Sequence, residues 1–193
     1  STRVRSSAAS DVYKRQLQHY DEKILEAMRR PAFDYEVLIK KLRDRIPNVA
    51  IRTAFIVGYP GETDEQFNKL YEFVKRARFD RMGVFEYSRE KNTTSYAMQH
   101  QVPKKLKHKR YKELMALQQQ ISFEINQQYV GKTLPCIVEG ITDEGVVIMR
   151  SQHDAPEIDG LVYAKSDRPV VPGDIEDVLI DTADEYDLFG VIQ

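Results

Sequence analysis

The chain has 193 residues, of which 41% are hydrophobic and 31% charged, with a net charge of −1 and one cysteine. That length buries one moderate core or two small ones; a lone cysteine excludes a disulfide framework and suits a reducing cytoplasm, and no apolar run is long enough to span a membrane or resembles a secretory segment. The near-neutral total hides a division: residues 131–193 carry four bases against fourteen acids, a net −10, and residues 1–130 carry 25 bases against 16 acids, a net +9. Such an asymmetry speaks of two domains with different partners rather than of fold.

In chain order, Ser1 to Gln16 shows small polar residues, scattered charge and no period. It reads as a vector- or assembly-derived leader, or as a native disordered arm, and stands outside the fold reasoning. Asp34 is a plausible N-cap for a helix whose apolar residues Tyr35, Leu38, Ile39, Leu42 and Ile46 recur at helical spacing until Pro47 stops it. Ile51 to Val57 is β-branched and apolar enough for a strand buried on both faces. Gly58, Pro60 and Gly61 break that strand, and Thr63 with Gln66 forms a capping box for a helix packed through Phe67, Leu70, Tyr71 and Val74. A strand over Arg81–Tyr87 follows. Helix, strand, helix, strand reads as consecutive βα units of a parallel sheet, whose ligands lie beyond the carboxyl ends of its strands. With no further strands beside it, the sheet is expected to present an uncovered edge and an apolar inner face.

From Pro103 the pattern predicts one long helix to about Val130, with Leu114, Leu117, Ile121 and Ile125 as its buried stripe. Its first turns hold Lys104, Lys105, Lys107, Lys109, Arg110 and Lys112 without an acid; a solvated face and a contact with RNA phosphates both fit that run. After Gly131 five short apolar or alternating runs are separated by turn residues, the spacing of a small antiparallel barrel. Cys136, inside the first run, reads as a core thiol. His19, His100, His108 and His153 lack metal-ligand spacing, and the acids of Asp184–Asp187 give no sign of acid/base work.

Three blocks in the first part match something narrower. Ala54-x-Ile56-x-Gly58-x-Pro60-Gly61-Glu62 resembles the G-x-I-x-G-x-P-G-E strand motif of radical S-adenosylmethionine enzymes, with Ala54 in place of the first glycine. Leu17 to Arg30 is similar to the segment after the fourth barrel strand of the methylthiotransferases in that family, and Asp80 to Ser88 to their sixth-strand block. Asp154–Gly160 and Ala183–Gly190 resemble the TRAM domain of the RimO-type branch, which modifies a ribosomal protein. The resemblance covers Leu17 to Gln193. It implies an α/β partial radical-SAM, TIM-like barrel fragment over residues 17–102, a linking helix over 103–130, and a small all-β, OB-like TRAM barrel over 131–193.

The resemblance also implies what this chain lacks. The family holds an iron-sulfur cluster on a C-x-x-x-C-x-x-C loop and a second cluster in an N-terminal domain; with Cys136 alone, the chain is expected to be the carboxyl-terminal part of a longer enzyme, inactive by itself, with no catalytic residue or metal ligand of its own. By motif, Ile56 and Val57 line the adenine pocket and Gly58 permits close approach of the adenosine of S-adenosylmethionine. Gln18 and Arg52 align with residues near the same cavity; otherwise Gln18 caps a strand and Arg52 pairs with an acid. Glu62 is expected to support the following helix rather than touch a ligand. The resemblance implies as substrate an aspartate of small ribosomal subunit protein twelve, in the cytoplasm, and the acidic TRAM half, which repels polyanions and attracts a basic partner, agrees with it. Asp184, Glu185 and Asp187 are the candidate recognition residues, unless they pair with Arg150 or Arg168 in the barrel. The alternatives are a piece of a transfer-RNA-adenosine methylthiotransferase and a stand-alone acidic OB-like binding module.

Overall fold

The computed structural model describes residues 12–31, 33–155 and 159–193. The described residues divide into two compact units: one of Lys14–Pro47 with Ile51–Gln118, the other of Gln119–Gln193 with Asn48–Ala50 and residues 12–13. Most of the predicted leader, residues 1–11, lies outside the described residues; Val12–Gln16, set aside in the sequence reading, belong to a strand, β1 (Val12–Gln18). A strand at the edge of a sheet draws its order from the ladder of its neighbour, so polar side chains such as Arg15 and Gln16 do not forbid it.

The first unit runs β1, α1 (Glu22–Ala27), α2 (Tyr35–Arg45), β2 (Ala50–Val57), α3 (Asp64–Ala77) and β3 (Arg81–Glu86). The sheet order is β1-β2-β3, and β2 pairs with β3 in parallel, with Arg52 opposite Arg81, Ala54 opposite Gly83 and Ile56 opposite Phe85. Capping follows the sequence. Asp34 accepts from the amide of Val37 at 3.0 Å, and Thr63 and Gln66 complete the capping box of α3, each cap stabilising its helix by about 1 kcal/mol. α3 buries Phe67, Leu70, Phe73 and Val74; Phe73, rather than Tyr71, fills the centre, meeting Phe55 edge-on at 6.3 Å and Phe79 at 5.8 Å. Each such ring contributes about 1.5–3 kcal/mol by burial.

The expectation that β2 is buried on both faces is corrected. Burial alternates along it: Ile51, Thr53, Phe55 and Val57 are buried, while Arg52, Ala54 and Ile56 are half-buried. α3 packs on the first side through Phe73, and the opposite face stays open enough that Phe85, beside Ile56, is 59% exposed.

A long helix, α4 (Lys104–Asn126), follows. Leu114, Leu117 and Ile121 are buried as predicted, but Arg110, Gln118, Ser122 and Asn126 are buried with them. The second unit is a closed barrel of β4 (Thr133–Ile141), β5 (Val147–Ser151), β6 (Val162–Lys165), β7 (Ile175–Ala183) and β8 (Leu188–Ile192) in the order β4-β5-β6-β8-β7. Only β6 and β8 pair in parallel; the other neighbours are antiparallel. Inward residues alternate along each strand to build a core that includes Val138, Met149, Val162, Val178 and Ile180. Bulges at Val138/Gly140 and Ile180/Thr182 bend the two long strands. Among the described residues no helix is long and apolar enough to cross a membrane.

Candidate functional site

The carboxyl end of β2 is where the motif residues lie. Ile56 sits on the half-open face of the sheet, in register with Phe85, and Val57 points the opposite way, fully buried. Strand alternation therefore separates the two side chains expected to line one pocket. Between the apolar pair Ile56 and Phe85 and the basic pair Arg52 and Arg81 lie Ala54 and Gly83, the smallest residues in the register, with the Phe85 ring against Gly83. Arg52 is half-buried on that same face, and Gln18 ends β1 with a left-handed backbone, φ 71°. Gln18 donates to Gln16 Oε1 at a long 3.5 Å.

Gly58 follows with φ 75°, a region that favours glycine. A Cβ there would overlap the aliphatic stem of Lys107. The close approach that requires glycine is thus made by α4. Lys107 donates from Nζ to the carbonyl of Tyr87 at 2.8 Å and lies 4.8 Å from the centre of that ring; burial lowers its pKa, with Glu86 opposing.

Glu62 is buried, with 5% exposure. Its Oε2 accepts the amides of Gly58 and Tyr59, the latter at 3.2 Å. Arg110 donates to Glu62 Oε1 at 3.1 Å and to its carbonyl at 3.2 Å, and its other Nη donates to Asp64 at 2.6 Å. Burial pushes the Glu62 carboxyl up, with Arg110 and the two amides pulling the other way. His19, wholly buried, stands 4.0 Å from Glu62 Oε2 through Nε2. Its Nδ1 accepts the amide of Asp21 at 3.0 Å, which assigns the proton of the neutral ring to Nε2. Burial lowers the imidazole pKa to about 4, with Asp21 opposing and Arg110 assisting. The helix support expected of Glu62 is corrected: its carboxylate acts on its own loop's amides and on Arg110 of α4, while Thr63 and Gln66 cap α3. Nothing in the sequence pointed to Arg110 or His19: a base in a run of bases reads as solvated, and a lone histidine has no spacing to announce it.

In the barrel unit the four acidic-turn residues Asp184–Asp187 form a tight turn. Asp184 Oδ1 accepts the amides of Tyr186 at 2.8 Å and Asp187 at 2.7 Å, and Asp187 Oδ1 accepts that of Leu161 at 2.7 Å. The turn is also held from α4, where Asn126 donates to the Asp184 carbonyl at 3.0 Å. Pairing with Arg150 or Arg168 is not seen: Arg150 binds Glu139 at 2.6 Å, and Arg168 binds Glu176 through both nitrogens. Glu185 makes the loosest contact, 3.4 Å from Gln119 Nε2.

A metal cluster does not fit the residues present. The one thiol, Cys136, is buried against the Leu134 carbonyl, and burial pushes it up to about 12. Among the described residues no group of three or more His, Cys, Asp or Glu is arranged to hold a metal ion.

Comparison with known proteins follows the same division. Residues 130–192 match the TRAM domain family. The ribosomal protein uS12 methylthiotransferase RimO of Caldanaerobacter subterraneus subsp. tengcongensis is 50% identical over 176 residues, 90% of this chain and 40% of that protein. The protein of the same description from Carboxydothermus hydrogenoformans is 47% identical over 177 residues, again 90% and 40%. The chain thus spans 40% of the length of these relatives. Among solved structures, coproporphyrinogen III oxidase of Escherichia coli, described as a radical SAM enzyme, covers 74% of this chain and 39% of its own with a TM-score of 0.50; at 14% identity the likeness concerns fold alone. Over 90% of its length the chain is thus similar to proteins described as RimO methylthiotransferases, and its acidic barrel matches the TRAM domain family.

Proposed function

We propose that the chain is the carboxyl-terminal portion of a radical S-adenosylmethionine methylthiotransferase that modifies an aspartate of small ribosomal subunit protein uS12. One observation carries the reading: identity of 50% to a protein of that description runs through both the strand motif and the acidic barrel. In this reading the β1–β3 sheet over residues 17–102 is a section of a TIM-like barrel, residues 103–130 link it onward, and 131–193 recognise the protein substrate. When bound, S-adenosylmethionine supplies an adenosyl group for hydrogen abstraction, in a complete enzyme whose cluster thiolates lie outside this sequence. Ile56 suits an apolar contact with adenine from the open face, and Arg52 and Gln18 stand on the same sheet as candidate polar contacts. Val57 is left to the core behind the strand, and Gly58 contributes backbone only.

The partner assignment rests on charge. A unit with four bases and fourteen acids favours a basic ribosomal protein over a polyanion and speeds its encounter. Lys104, Lys105, Lys109 and Lys112 remain exposed and suit a ribosomal RNA phosphate contact, whereas Lys107 and Arg110 turn inward. Titrating the chain against purified uS12 and against transfer RNA at two salt concentrations tests the reading. Tighter, salt-sensitive binding of uS12 is expected; preference for transfer RNA would move the assignment to the transfer-RNA-modifying relatives, and binding of neither would favour a module with another partner.

A further inference from the structure

The six bases that open α4 do not share one role. Four are exposed, while Lys107 and Arg110, three residues apart and so on one helix face, turn toward the carboxyl ends of β2 and β3. Arg110 is 2% exposed and has three ties within its reach: the carboxylate and carbonyl of Glu62, and Asp64. Its guanidinium also lies 5.5 Å from the centre of the Phe67 ring, the first buried aromatic of α3. Glu62 in turn receives the amides of Gly58 and Tyr59. Without that carboxylate these two amides, at the point where β2 leaves the sheet, would have no acceptor; without Arg110 the buried carboxylate would lose its counter-ion, a change that leaves a buried charge uncompensated. Lys107 covers Gly58 with its stem and ties the Tyr87 carbonyl with its ammonium.

We propose that Arg110 and Lys107 are positioning residues for the cofactor-binding strand: Arg110 orients Glu62, Glu62 orients the Gly58 and Tyr59 amides, and Lys107 seals Gly58 from the α4 side. The inference rests on the reading of β2 as that strand. A planar guanidinium meets two acceptors of Glu62 and one of Asp64 at once, a geometry that an ammonium cannot reproduce. Charge alone therefore does not satisfy the site.

Amide hydrogen exchange on the chain, together with S-adenosylmethionine binding by the complete polypeptide that carries it, tests the proposal. Arg110→Gln should raise exchange at Gly58 and Tyr59 at least tenfold while the amides of β4–β8 keep their protection, and weaken cofactor binding by about tenfold. Arg110→Lys should recover part of both. Lys107→Met, which keeps the stem and removes the ammonium, should affect Tyr87 more than Gly58; Lys107→Ala should expose Gly58. Unchanged exchange at Gly58 and Tyr59 in Arg110→Gln, or faster exchange with undiminished cofactor affinity, overturns the positioning role. If Arg110→Gln does not fold, Arg110→Lys decides alone, with full wild-type protection and affinity counting against the proposal. Failure of the unaltered complete polypeptide to bind S-adenosylmethionine would instead overturn the functional reading beneath it, and leave the exchange result standing.

Discussion

Replacing Asp184 by alanine separates recognition from architecture in the acidic turn. The change removes the acceptor of two amides, those of Tyr186 and Asp187. A hydrogen bond to a charged acceptor contributes about 1.5–3 kcal/mol when buried; the turn is half-exposed, so the pair is worth about 1–2 kcal/mol in all, close to a helix cap. Asp184→Asn keeps an acceptor oxygen and gives up the charge, and should cost about half as much. Asp187→Ala frees the Leu161 amide and should resemble a single lost bond of about 1 kcal/mol. Glu185→Ala loses only a 3.4 Å contact and should stay within about 0.5 kcal/mol. Urea unfolding of the chain, followed at amide resonances of β6 and β8, reads these differences as midpoint shifts of about 0.5–1 M for Asp184→Ala, given a slope of about 2 kcal/mol/M. Equal costs for Asp184→Ala and Asp184→Asn, or a Glu185→Ala cost as large as either, would refute the turn argument. A neutralised Asp184/Glu185/Asp187 triple variant is therefore expected to lose stability as well as any partner affinity, and Glu185→Gln is the cleaner probe of charge.

Other outcomes follow from the same contacts. His19, with its pKa lowered to about 4, stays neutral when folded while the unfolded side chain protonates near pH 6.5; its contribution is full above about pH 6.5 and drains as pH falls to about 4, a loss of about 3 kcal/mol. His19→Asn, whose Oδ1 can still accept the Asp21 amide, should flatten that acid limb in urea midpoints at pH 7 and pH 4.5; Glu62, raised by burial, runs the other way in both proteins. An unflattened limb would place the acid sensitivity elsewhere. Gly58→Ala should destabilise the chain by about 1–3 kcal/mol through its positive φ and its overlap with Lys107, and adding Lys107→Ala should recover only the overlap part; full recovery would deny the backbone strain. Anaerobic reconstitution of the chain with iron and sulfide should give no iron-sulfur absorbance, and Cys136 should resist thiol reagents until urea unfolds the barrel. A stable cluster band, or rapid native labelling, would contradict the burial of the one thiol.

Local rules carried much of the fold into the sequence. Asp34, Thr63 with Gln66, and the Leu114–Leu117–Ile121 stripe are visible there because caps and helical periods act over a few residues. The five barrel strands are equally legible from their turns. Two-faced burial of β2 was not, because a run of apolar residues does not say whether one or both faces are covered. Ile56 and Val57 were grouped by motif, and the strand's period of two divides them. The tie between Arg110 and Glu62 joins residues 48 positions apart, and composition alone makes Arg110 one base among six. Asp184 and Asp187 read as charge, whereas short acidic side chains in turns commonly serve their own backbone.

The strand that closes the barrel, β8, is the last of the five in chain order, and it lies between β6 and β7. During synthesis β4, β5, β6 and β7 emerge first, able to form the β4–β5, β5–β6 and β4–β7 ladders but leaving β6 and β7 each with a bare edge. Those edges are templates for pairing with another nascent chain. The shield against aggregation is thus the last barrel strand made, and a polypeptide cut short before Leu188 would carry two sticky edges in place of a closed surface.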